Sequence, residues 1–140
     1  PSIAAVGVAC HEAGHAAQHA EKYVPIRIRN YILPVCNIGS KISIPLLIAG
    51  VIFSAQPIIW IGIGLFAFTA IFQIVTLPVE FNASNRALNV IESTGILSYE
   101  EKRGAGKVLK MAAMTYVAAL AMSLAQLLRL ILRFGGNRRR

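Results

Sequence analysis

All three histidines of the chain lie in the stretch "CHEAGHAAQH", and two of them bracket a glutamate in the order His11-Glu12-Ala13-Gly14-His15. Residues four apart on an α-helix share one face, so the two imidazoles can converge on a single ion at roughly 2.0–2.1 Å each. Glu12 is turned about 100° from His11 and competes poorly as a ligand. It is placed instead to take a proton from a water that the ion activates and to return it to a leaving amine. The chemistry this spelling points to is zinc-assisted peptide hydrolysis, with His11 and His15 as metal ligands and Glu12 as the catalytic carboxylate. Ala13 and Gly14 leave room for substrate or another backbone to come close. The plainer alternative is three histidines on an alanine-rich helix with no metal.

A catalytic zinc site takes three protein ligands and keeps one position open. The acidic residues number six, all glutamate. His19 lies one turn beyond His15, but its angle has drifted, and three ligands from one straight helix seldom converge. The longer pattern with a third histidine ten residues after the first fails, because that position is Glu21 and position 17 is Ala. Glu92, Glu100 and Glu101 read as helix-surface and capping carboxylates. Glu80 differs: it is the first charge after the uncharged run 42–79. A lone carboxylate at the exit of such a run is costly without a partner, and a metal ion would be one. The other reading of Glu80 is an interfacial glutamate with no ligand role.

The elements that must position these residues belong to a membrane protein. In 140 residues, 56% are hydrophobic and 14% charged, and the run without Asp, Glu, Lys or Arg is too long for a buried globular helix. The first residue is Pro1 and no signal peptide is visible, so the chain reads as a fragment lacking its N-terminal part. The net charge of +8 sits beside apolar spans without interleaved aromatics, which argues against nucleic acid as a partner and for a lipid bilayer. Cys10 and Cys36 form no metal-binding Cys pair and read as reduced, buried thiols.

Ser2 can cap a histidine helix over 1–23. Residues 24–41, with Pro25, Pro34 and Gly39, read as a basic connector at the membrane surface. The uncharged run would make a rod nearly twice the roughly 30 Å hydrocarbon thickness if straight, so it predicts a transmembrane hairpin over 42–79. The arms are 42–55 and 58–77, with the tip at Gln56-Pro57. Pro78 ends the second arm and opens a glutamate helix over 79–95, closed by Gly95. Ser98 and Glu101 spell a capping box that starts a C-terminal apolar helix over 98–134. The whole is a single membrane-embedded all-α domain.

"AAVGVACHEAGHAAQHAEKY", "LPVEFNASNRAL" and "MAAMTYVAALAMSL" together resemble the bacterial membrane neutral zinc metallopeptidases, the YugP-like group, across essentially the whole chain. The resemblance implies a zinc-dependent membrane protease of zincin type, with His11 and His15 as ligands, Glu12 catalytic and Glu80 the third ligand. "EFNASNRA" is also similar to the glutamate helix of other membrane-embedded gluzincin proteases. Those place an acidic residue four after the ligand glutamate to orient a histidine; here that position is Ser84, with Asn82 and Asn85 as other candidates for the role.

Arg86 can stabilise an oxyanion or pair with a substrate carboxylate, though such an arginine more often faces headgroups. Tyr116 can donate to an oxyanion or act as an interfacial anchor. His19 can support the ligands from behind or face headgroups. The basic residues Lys22, Arg27, Arg29, Lys41, Arg86, Lys102, Arg103, Lys107 and Lys110 outnumber Arg129, Arg133 and Arg138 to Arg140 on the other side. That excess predicts a cytoplasmic site, and the resemblance implies a bacterial cell membrane. The function expected is a zinc endopeptidase acting on membrane proteins or unstructured peptides. The alternative is a membrane metal-binding or scaffold protein that cuts nothing.

Overall fold

A computed structural model describes residues 2–136. Its regular elements are four α-helices: α1 (Ile3–Ala20), α2 (Val24–Ile52), α3 (Gln56–Thr94) and α4 (Tyr99–Gly135). The all-α expectation holds, and α2, α3 and α4 are each long and apolar enough to cross a membrane. Arg138 to Arg140, counted in the charge comparison, lie outside the described residues.

Two boundaries differ from the sequence reading. Residues 24–41 are not a surface connector: they are the first part of α2, which runs unbroken through Pro34 and Pro45. Likewise Pro78 does not end a helix but lies inside α3. Each proline removes one backbone donor, a cost that breaks helices in water. Without water to satisfy a broken end, an apolar surrounding favours keeping every other backbone bond within the helix. The hairpin therefore has longer arms than expected, and its turn falls at Phe53–Ala55, where Ser54 adopts a positive φ of 51°.

The other ends follow sequence rules. Ser2 accepts a hydrogen bond from the Ala5 amide at the start of α1 (3.2 Å). After α1, Lys22 takes a left-handed conformation (φ 55°) and the Tyr23 amide bonds back to the Gln18 carbonyl. Gly95 closes α3 at φ 64°. Before α4 the capping box forms in both directions, from the Ser98 amide to Glu101 Oε2 (2.9 Å) and from the Glu101 amide to Ser98 Oγ (3.4 Å).

The chain divides into two compact units. The first holds the residues up to Ile28 and Val75–Ala118, so it combines α1 with the later part of α3 and the earlier part of α4. Its core is Cys10, Ala87, Ile91, Ala105 and Leu109, with Val6, Leu88 and Leu97 packed against them. The second unit holds Arg29–Ile74 and the chain from Ala119 onward. There Leu47, Ile59 and Ile63 pack with Leu127, Leu130 and Phe134. Gly62 lets α3 approach α2 closely, since a Cβ there would meet Leu47 Cγ at 2.8 Å. Gln56 Nε2 donates to the Phe134 carbonyl (2.9 Å), tying the start of α3 to the end of α4. Ile44, Ile48, Ile61, Ile71, Leu128 and Leu132 stay exposed. In water such a surface would be unfavourable, and against lipid it is matched.

Candidate metal centre

The first unit brings one face of α1 against α3. The buried residues of α1 are Gly7, Cys10, Gly14 and Gln18, a stripe at helical spacing. Gly14 is the closest contact: a Cβ there would stand 2.7 Å from the Ala83 carbonyl oxygen, a backbone atom that cannot swing aside. Ala83 and Ala87 are fully buried on the facing side of α3. Small residues on both helices thus let the backbones meet, and the residues flanking Gly14 are carried onto Glu80.

The outcome is a tight group of three donors. His11 Nε2 and His15 Nε2 lie 3.1 Å apart. Glu80 Oε2 is 3.3 Å from the first and 3.7 Å from the second. The two rings meet edge to face at 89°, with centroids 4.7 Å apart. Four ligands held tetrahedrally at roughly 2.0–2.1 Å would be separated by about 3.4 Å, close to these spacings. Glu80 is buried, at 4% exposure.

The hydrogen bonds behind the histidines decide which nitrogens face the group, and they can be assigned from the arginine inward. Arg86 Nε can only donate, so Asn82 Oδ1 is the acceptor of that bond (2.8 Å). The same Oδ1 accepts from Gln18 Nε2 (2.9 Å), which also donates to the Val79 carbonyl (2.9 Å). Gln18 must then present Oε1 to His15 Nδ1, 3.0 Å away, and Nδ1 carries the proton. His15 Nε2 is left with a lone pair aimed at His11 and Glu80. His11 Nδ1 meets Ser84 Oγ at 3.2 Å, and a hydroxyl accepting there leaves the His11 Nε2 lone pair inward too. Two imidazole nitrogens and a carboxylate oxygen within 4.8 Å of one another form a group that could hold a metal ion. Two nitrogens and one oxygen, with a side left open, suit zinc.

Outside this group, Arg86 closes a fork on Glu21 (2.9 and 2.7 Å). The guanidinium holds the Glu21 carboxyl below its ordinary range, first through its hydrogen bonds and then through its charge. Arg86 is thereby paired with Glu21 at the end of α1. His19 is exposed and outside the donor group. Asn85 is also exposed. Glu92 pairs with Lys102 (2.6 Å) and Glu101 with Ser98, as surface and capping carboxylates do. Glu12 lines a cavity of about 190 Å³ beside His11 and Glu80, and Tyr116 lines its far side.

Sequence reasoning missed Gln18. It is fully buried and makes three hydrogen bonds that reach His15, α3 and Asn82. The available signal was its place on the helix, three after His15 and four after Gly14, on the stripe that packs against α3.

The described residues thus form an all-α chain with three helices long and apolar enough to cross a membrane, and it carries a part-buried group that could hold a metal ion. The chain belongs to the family described as "putative neutral zinc metallopeptidase", whose sequence profile matches residues 1–135. It is 45% identical over 137 residues to the protein titled "putative membrane protease YugP" of Bacillus subtilis (strain 168). That alignment covers 98% of this chain and 61% of the relative, so the chain spans under two thirds of the relative's length. No solved structure matches.

Proposed function

We propose that the chain is the catalytic part of a zinc-dependent membrane endopeptidase, with His11, His15 and Glu80 holding the metal and Glu12 as general base. The observation that carries this reading is the convergence of three donor atoms within 4.8 Å while both histidines are fixed from behind. Zinc, when bound, supplies a Lewis acid that acidifies a water and polarises a carbonyl. Glu12 is exposed, next to His11 on the cavity wall, where its carboxylate can take a proton from water and pass it to the departing amine. Gln18 and Ser84 hold the imidazoles so that no reorientation is needed on binding. Tyr116, which lines the same cavity, is assigned as a donor to a developing oxyanion.

Substrates are membrane proteins or unstructured peptides that reach the bilayer surface. The site lies on the cytoplasmic side of a bacterial cell membrane in this reading. Support comes from Lys22, Arg86, Lys102, Arg103, Lys107 and Lys110, all in the unit that carries the histidines.

The test compares detergent-purified wild type with Glu12→Gln on an unstructured peptide mixture, with zinc measured on the same samples. The proposal expects unchanged zinc and cleavage reduced by about 10²-fold or more. Equal cleavage by both would remove Glu12 as the general base, and no cleavage by zinc-loaded wild type would favour a metal-binding scaffold.

A further inference from the structure

The cavity beside the donor group has two unlike walls. Polar atoms come from α1 and α3, while α4 supplies Leu109, Ala112 and Ala113 with the Tyr116 hydroxyl as its polar atom, and Val8 adds an apolar edge one turn before His11–Glu12. Among the described residues, no lysine or arginine lines it. A substrate carboxylate there would face Glu12 and Glu80. The size is also defined. An apolar cavity of about 150 Å³ accepts benzene, so about 190 Å³ accommodates a leucine, methionine or phenylalanine side chain. The space exists because two consecutive positions of α4 carry only methyl groups. Ala113 is buried at 3% exposure, whereas Ala112 is exposed and borders the opening.

We infer that this cavity is the specificity pocket for the residue beside the cleaved bond, and that it selects a medium to large apolar side chain, with Ala112 setting the limit. The inference rests on the peptidase reading above, because the cavity's role is defined by Glu12 at its rim. Ala112→Leu adds three carbons at an exposed helical position where folding is not at risk, and Val8→Phe narrows the cavity from the opposite wall. A methylene that a pocket can no longer take changes discrimination by about tenfold or more.

The experiment has two readouts. Cleavage sites in a peptide mixture are mapped by mass spectrometry for wild type, Ala112→Leu and Val8→Phe. Binding of fluorescent peptides that differ at one residue (Ala, Leu, Phe or Asp) is measured on Glu12→Gln protein with and without Ala112→Leu. Wild type is expected to cut beside Leu, Met or Phe and to reject Asp. Both cavity variants should shift the preference toward Ala by about tenfold or more at unchanged zinc content. Binding should follow the same order. Cleavage with no residue preference, or with one that neither variant moves, overturns the pocket and leaves the peptidase standing. Residue-selective binding that the variant shifts, without cleavage by wild type, supports the pocket and overturns the peptidase.

Discussion

The donor group depends on residues that never touch the ion. Gln18 is a neutral amide where a carboxylate would be the simpler acceptor for an imidazole N–H. The reason lies in its other bonds: it must donate to the Val79 carbonyl and Asn82 Oδ1, which a carboxylate cannot do. Gln18→Met keeps the length and removes all three bonds. Zinc affinity should fall by about 10–100-fold while the helical content is kept, measured by competition with a chelating dye. Unchanged affinity would mean that packing alone orients His15. The Glu21–Arg86 pair gives a pH signature at the same scale. Glu21 is lowered in the folded protein, so its contribution is present above the ordinary carboxylate range and is lost as pH falls through the lowered value. Thermal unfolding of wild type should show a small acid-side decline that Glu21→Gln removes, matching the modest stability difference between the two at neutral pH, because the pair is exposed.

At the scale of elements, the approach of α1 to α3 is the controlling feature. Gly14→Ala places a methyl group 2.7 Å from the Ala83 carbonyl, so the helices must separate. A destabilisation of about 1–3 kcal/mol is expected, with weakened zinc binding. Gly64→Ala is the control, because among the described residues nothing lies within 4 Å of its added Cβ, and it should be neutral or slightly stabilising. A harmless Gly14→Ala would show that the contact is not what brings the histidines to Glu80. The spelling His11-Glu12-x-x-His15 and the charge gap before Glu80 were both readable before the fold, because each has a direct physical cause. The same holds for the Ser98–Glu101 cap. The helix over 24–41 was not readable: Pro25, Pro34 and Gly39 are breakers by aqueous rules, and those rules weaken where water is absent. Gln18 was legible only as a position on the α1 stripe beside His15; its bonds to α3 were not, since those partners lie 61 and 64 residues away.

At the scale of the molecule, two kinds of surroundings meet in one short chain. Three helices present bare isoleucine and leucine that suit lipid, while the unit carrying the histidines closes a polar group with small side chains and matched hydrogen bonds. A buried carboxylate beside two imidazoles is stabilised when a cation joins them. The claim that this group is a zinc site is tested most directly by zinc content per chain in detergent-purified protein, comparing wild type, Glu80→Ala and the surface control Glu92→Ala. About one zinc per chain in wild type and Glu92→Ala, with a sharp loss in Glu80→Ala, is the predicted result. Full zinc retention in Glu80→Ala, or no zinc in folded wild type, would contradict it.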